Sequence, residues 1–349
     1  MHKLLLTGAS GYIGGTILNE LILVEDVELF ALVRTKKQAE QVIAVGYAAG
    51  KSIRPVEFDL MNPAAVQTAV MDIGATIVIH TANAFSFVPA QAFIRGLAEV
   101  KRRSGTEVHF VHTSGAKVFS SHAGINMRLE DTQDVYHAQK VHKSPHPALQ
   151  EAIDTCTLTH ELGEELGVRT YILVPPMVYG PGEGFGNKLS IQFVAIVRIG
   201  LALKRVYQVA DDTFNWPLCH LRDCVSLYMV LLKSIVDGSA SYGKQGGYYF
   251  AENGLFNWKI LYTSIAQSLT KLGKLDDASL VNPVSSADLD LMADVLRCPK
   301  EFVDVSVAGS CDLSGENGRR LGWKPVFDVD HLMSVVDEEV KFILSQGVV

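Results

Sequence analysis

The segment Lys3-Leu4-Leu5-Leu6-Thr7, followed at once by Gly8-Ala9-Ser10-Gly11-Tyr12-Ile13-Gly14-Gly15, limits the fold more than any other part of the chain. A short apolar run bounded by glycine reads as a buried strand. The glycines stand as G-x-x-G-x-x-G, and residues 14–24 after them have helical periodicity. Gly8 permits a tight turn out of the strand. Gly11 lets backbone approach a pyrophosphate, and Gly14 lets the helix pack close to the sheet. The helix N-terminus then offers free N–H groups and a positive dipole end to the phosphates. A strand, this loop and a helix open a βαβ unit, the context in which such a loop holds a dinucleotide.

The alternation continues. Strand-like runs at 27–34, 52–60, 76–84, 107–115 and 168–176 are separated by helical patterns at 38–50, 63–71, 90–105 and 147–166. Strands alternating with helices require crossovers, and so a parallel sheet with helices on both faces. The expected fold is α/β: a Rossmann-type doubly wound parallel sheet with a smaller, more helical C-terminal substrate lobe. Residues 1–176 form the expected dinucleotide-binding domain, completed by parts of 206–253. Residues 177–205 and 254–349 form the expected substrate lobe.

Charge and cysteine usage exclude other classes. A net charge of -7 without a long basic block argues against nucleic acid and anionic membrane as partners. The longest apolar later stretch, "IQFVAIVRIGLAL", is thirteen residues and contains Arg198, short of the ~20 a span needs. The apolar run at the N-terminus is three leucines long, too short for the core of a signal peptide. The five cysteines form no C-x-x-C pair, which points to a reducing compartment, and a cytoplasmic location is expected. The histidines show no metal-ligand spacing, so no metal is expected. A small-molecule substrate is the expected partner, and a homodimer stays open.

"TGASGYIGG" resembles the extended branch of the short-chain dehydrogenase/reductase family, which contains nucleotide-sugar epimerases and dihydroflavonol-type reductases. "FDL", "HTAN", "VHTSG", "PPMVYGPG" and "RRLGWKP" agree in order and run through nearly the whole chain. "YYFAEN" and "GNKLSIQ" are similar to a fungal epimerase-like group. The resemblance implies roles. Thr7, Gly8, Gly11, Tyr12, Ile13 and Gly14 would line the pyrophosphate, and Asp59 and Leu60 would flank the adenine. Thr81, Ala82 and Asn83 would pass beside the ribose and nicotinamide. Ser114 would hydrogen-bond a substrate carbonyl, and Pro175 and Pro176 would shape the nicotinamide pocket. Strand-end turn chemistry is the other role open to Asp59 and Asn83. The second strand ends Ala31-Leu32-Val33-Arg34, where an acidic residue would select NAD. Arg34 in that place can hold a 2'-phosphate, so NADP(H) is expected before NAD.

Tyr136 and Lys140, four apart, could share a helix face, where the ammonium would favour the phenolate. Reductases of this family use a serine and such a pair, which makes Ser114, Tyr136 and Lys140 the catalytic candidates. The family places the pair near the start of the helix leading into the sixth strand. That helix needs about 20 residues at ~1.5 Å each to cross the sheet. Counting back from Gly167 puts its start near 147, where Pro145 and Pro147 mark the same point. Tyr136 is therefore expected in a loop ahead of the helix, while Gln150 and Asp154 fall at the family's Tyr and Lys positions. Tyr179, His220 and Asp223 are other candidates, with structural roles open to each. The expected activity is an NADP(H)-dependent oxidoreductase acting on a carbonyl or alcohol of a small organic substrate. The alternatives are a dinucleotide-binding regulator without turnover and a non-redox isomerase or lyase.

Overall fold

Along strand β1 (His2–Thr7), Leu4 and Leu6 face one core and Leu5 the other, all fully buried. Successive side chains point to opposite faces of a strand, so an uninterrupted leucine run requires cover on both sides. The computed structural model, which describes residues 2–347, supplies that cover. The chain continues through α1 (Tyr12–Leu21), β2 (Val27–Leu32), α2 (Lys36–Ala48), β3 (Ile53–Val56), α3 (Pro63–Ile73), β4 (Ile77–His80), α4 (Phe87–Ser104) and β5 (His109–Thr113). Next come β6 (Leu129–Glu130), α5 (Val135–Val141), α6 (Pro147–Leu166), β7 (Arg169–Val174), β8 (Met177–Tyr179), α7 (Gln192–Leu203), β9 (Val206–Tyr207), β10 (Asn215–His220), α8 (Leu221–Val236) and β11 (Tyr248–Phe250).

Seven strands form the main sheet in the order β11-β7-β5-β4-β1-β2-β3, and every pairing in it is parallel. The α/β, Rossmann-type sheet read from the sequence is therefore present. Ile17, Leu18 and Leu21 of α1 pack with Leu227 and Leu231 of α8 on one face. Val66 and Val70 of α3 and Phe93 and Leu97 of α4 cover the other. The strand order reverses between β1 and β4, with Thr7 beside His80. A crevice opens at such a switch point beyond the carboxyl ends of the strands.

Beyond the main sheet the chain forms a second, three-stranded sheet. β12 (Leu255–Asn257) pairs antiparallel to β10, which runs parallel to β8. Trp216 of β10 and Trp258 are both fully buried and pack together at 5.8 Å between centroids. Asp131 fastens this part to the main sheet. Its Oδ2 accepts the N–H of Phe250 at 3.0 Å, and its Oδ1 accepts those of Glu316 and Asn317, both at 2.8 Å.

One local expectation is corrected. Residues 135–141 are a helix and not a loop. Asp134 Oδ1 accepts the N–H of His137 at 2.9 Å and caps the helix, while Val135, Ala138 and Gln139 are buried beneath it. Tyr248 donates to Gln139 Oε1 at 3.0 Å, so tertiary contacts stabilise a seven-residue helix too short to stand alone. The main helix does start at Pro147.

Candidate active site

The glycine loop is a cradle with no room for side chains. Gly8 has φ +76°, and a Cβ there would lie 2.3 Å from Thr81 Oγ1. A Cβ on Gly14 would lie 2.3 Å from the Gly8 carbonyl oxygen. Gly11 N–H donates to that oxygen at 2.8 Å, closing the turn. Thr81 Oγ1 donates to Thr7 O at 2.7 Å and ties the end of β4 to the end of β1. Gly11 is the N-cap of α1 and makes no side-chain cap, so first-turn N–H groups of α1 are open to an anion. The residues present fit a dinucleotide pyrophosphate.

A second glycine-rich segment, 180–187, packs directly on this cradle. The Asn187 N–H donates to Ser10 O at 2.9 Å, and the Tyr12 hydroxyl donates to Gly180 O at 2.6 Å. Cβ atoms on Gly184 and Gly186 would lie 2.6 Å from Gly15 and 2.1 Å from Ser10 backbone. The sequence shows these glycines as a turn. Their task, letting two backbones touch, appears only in the fold.

Arg34 follows β2 and is exposed, and no carboxylate stands at 34–37. Gln38 links this corner to the cradle: its Oε1 accepts Arg34 N–H at 2.8 Å, and its Nε2 donates to Ser10 Oγ at 3.1 Å. Asp59 Oδ1 accepts Met61 N–H at 2.9 Å, and Asn83 Oδ1 accepts from Phe85 and Ser86 at 2.9 and 3.1 Å. Both side chains thus make turn bonds. Leu60 is part-buried against the α3–α4 core.

A cavity of about 210 Å³ opens beside the cradle. Tyr12, Ile13, Ser114, Pro175 and Pro176 line it, bringing together expected residues from three strand ends. Thr7, Thr81 and Ala82 lie behind, at the ends of β1 and β4. Ser114 follows β5, and its Oγ lies 3.1 Å from Cys156 Sγ on α6. Burial pushes the Cys156 thiol up to about 11, so it is a neutral group.

Tyr136 and Lys140 do share one helix turn, but not at this cavity. Both point to Glu161: Tyr136 donates to its Oε1 at 2.6 Å and Lys140 at 2.9 Å. Glu161 is twelve residues beyond cavity-lining Leu149, roughly 18 Å along α6 at ~1.5 Å per residue. Burial and then Glu161 push the Tyr136 phenol up to about 12, opposite to what a lysine-activated phenol needs. Tyr136 and Lys140, named as catalytic candidates, are therefore not brought to the cavity beside Ser114. Gln150 and Asp154 turn aside too, with Gln150 Nε2 donating to Asp154 Oδ1 at 2.8 Å. The cavity face of α6 is Leu149 and Ala152, one and two residues before the positions counted from the sequence.

Tyr179, His220 and Asp223 hold the C-terminal segment. Tyr179 Oη lies 2.9 Å from His331 Nδ1, His220 packs at a tilt against Phe327 with ring centroids 4.3 Å apart, and Asp223 Oδ2 accepts from Val326 and Phe327 at 2.9 and 2.8 Å. Among the cavity residues that escaped sequence reasoning, Lys117, Gln192 and Trp216 carry side-chain N–H groups. Lys117 stands three residues after Ser114 in an otherwise apolar run, the one signal available beforehand. Among the described residues no helix is long and apolar enough to cross a membrane.

Comparisons agree with this architecture. The sequence profile of the NAD dependent epimerase/dehydratase family matches residues 4–242. The oxidase ucsJ of an Acremonium species is 25% identical over 340 residues, covering 93% of each chain. Vestitone reductase from alfalfa superposes with a TM-score of 0.61 at 16% identity over 100% of both chains. The UDP-glucuronic acid 4-epimerase of Bacillus cereus, solved with UDP-glucuronic acid and NAD, superposes at 0.62 with 14% identity over 99% of both.

Proposed function

Because the chain belongs to the NAD-dependent epimerase/dehydratase family, we propose that it is an NADP(H)-dependent oxidoreductase acting on a carbonyl or alcohol of a small, largely apolar substrate. The observation that carries this reading is one cavity lined both by the first turn of α1 and by Ser114 at the end of β5. The nicotinamide would supply or accept the hydride; the protein's part is to orient and to exclude water. Gly8, Gly11 and Gly14 let backbone N–H groups reach the phosphates. Arg34, with no acidic neighbour at 34–37, favours a 2'-phosphate on the adenosine ribose. Pro175 and Pro176 line the cavity and would form a wall for the nicotinamide ring. Ser114 Oγ–H would donate to a substrate carbonyl, while the Cys156 thiol stands 3.1 Å from the same oxygen.

A second reading, dinucleotide binding without turnover, is favoured by one observation: α6 presents Leu149 and Ala152 to the cavity where the family's tyrosine is expected. One experiment separates the two. NADPH binding is measured by fluorescence, and its consumption at 340 nm is followed with a carbonyl library, in the wild type and Ser114→Ala. Turnover that Ser114→Ala lowers about tenfold or more supports the reductase. Tight binding with no turnover across the library supports the second reading, and no NADPH binding refutes both.

A further inference from the structure

The cavity has a pole that the proposed reduction does not use. Lys117 lies on the 3-10 turn Ala116–Phe119 just after Ser114 and lines the cavity, and among the described residues nothing pairs with its ammonium. Trp216 and Gln192 line the same cavity at 0% and 6% exposure. The Trp216 indole N–H and the Gln192 amide nitrogen are buried with no acceptor among the described residues. A buried donor left unpaired costs about 1–3 kcal/mol, a cost that an acceptor reaching it from the cavity would relieve. Gln192 also opens α7, a twelve-residue helix whose N-cap Ile191 provides no side-chain bond. The positive end of that helix dipole therefore stands at the same wall. Among the described residues no Asp or Glu lines the cavity, although the chain carries seven excess negative charges.

We infer that this pole binds the carboxylate of an otherwise apolar organic acid, with Lys117, Trp216 and Gln192 as its donors. This deepens the proposed function and rests on it only in taking this cavity as the substrate site. A carboxylate is acceptor-only, with about four lone-pair sites on two oxygens, which suits a wall that offers N–H groups and a positive charge. Sugar hydroxyls would bring donors of their own to walls made of Phe85, Leu149, Ala152, Pro176, Val178 and Ile191, which have none of the acceptors a sugar requires. Burial pushes the Lys117 ammonium down to about 8, against a smaller opposing pull from Cys298, and an anion seated beside it would draw it back up.

The test is isothermal titration calorimetry of the full chain, with and without NADPH, against octanoate, 1-octanol and octylammonium. Octanoate should bind about tenfold or more tighter than octanol, and octylammonium more weakly than either. Lys117→Met should remove the preference for octanoate, while Lys117→Arg should keep most of it, with NADPH affinity unchanged in both. Equal affinity for octanoate and octanol in the wild type, or a preference that survives in Lys117→Met, overturns the inference. If Lys117→Met does not fold, the wild-type series and Trp216→Phe decide, the latter being expected to weaken octanoate and not octanol. An octanoate preference in a chain that binds no NADPH would sink the dinucleotide reading and leave this one standing. NADPH binding without that preference would do the reverse.

Discussion

Gly14→Ala places one methyl group where the cradle has no space. Its Cβ would lie 2.3 Å from the Gly8 carbonyl oxygen and 2.5 Å from Thr81 Oγ1. A comfortable carbon–oxygen contact is longer by roughly 1 Å, since non-bonded atoms sit near 3.5 Å or beyond. The Gly8 carbonyl cannot retreat, because it accepts Gly11 N–H at 2.8 Å and that bond forms the turn. The start of α1 must therefore move outward, taking its first-turn N–H groups away from the phosphates. A hydrogen bond to a charged group contributes about 1.5–3 kcal/mol, so misaligning two of them costs on the order of 3–6 kcal/mol. That is a loss of roughly two to four orders of magnitude in affinity. Gly105→Ala serves as the control: Gly105 has φ +70° but open space around its would-be Cβ. The control should lose roughly 1–3 kcal/mol of stability to backbone strain and nothing in cofactor affinity. Fluorescence titration with NADPH, alongside thermal melts by circular dichroism, measures both quantities. A folded Gly14→Ala protein that binds NADPH like the wild type would refute the cradle as the dinucleotide site.

Three further outcomes are expected. NADPH should bind about tenfold or more tighter than NADH, and Arg34→Ala should erase the difference; equal affinities in the wild type would remove Arg34 from the argument. Tyr136→Phe and Lys140→Ala should leave any turnover intact, because both side chains end on Glu161. The exposed Lys140–Glu161 pair contributes about 0–1 kcal/mol to stability, so only a small change in Tm is expected, and a large fall in kcat for either variant would restore the ordinary family mechanism. Carboxylate affinity should decline as pH rises through about 8, where the Lys117 ammonium is lost. Cys298 and His122, the latter 3.4 Å from Asp304, are the titratable groups facing it. The sign for stability is opposite. The folded chain holds this proton less tightly than the unfolded one, at about 8 against ~10.4, so the ligand-free protein gains stability from Lys117 as pH rises between those values. Lys117→Met should flatten both pH dependences, and melts and titrations between pH 7 and 10 would show it.

The order of elements and the glycine cradle were legible in the sequence because both are local. A period of two or 3.6 residues, a proline at position 147 and glycines spaced three apart act over distances that the chain itself spans. Ser114 came from the family resemblance carried by "VHTSG", and the fold brings it to the cavity because it stands at the carboxyl end of a parallel strand. Direction around a helix was not. Tyr136 and Lys140 do share a face, as their spacing requires, but packing of Val135, Ala138 and Gln139 into the core turned that face toward Glu161. On α6 an offset of one to two residues put Leu149 and Ala152 at the cavity in place of Gln150 and Asp154. The cavity's donors come from positions 117, 192 and 216, on a turn, a helix start and a strand that no local pattern connects. Their meeting depends on how the chain beyond β7 docks against the sheet. That docking is set by burial summed over many side chains, a quantity that no short window of sequence contains.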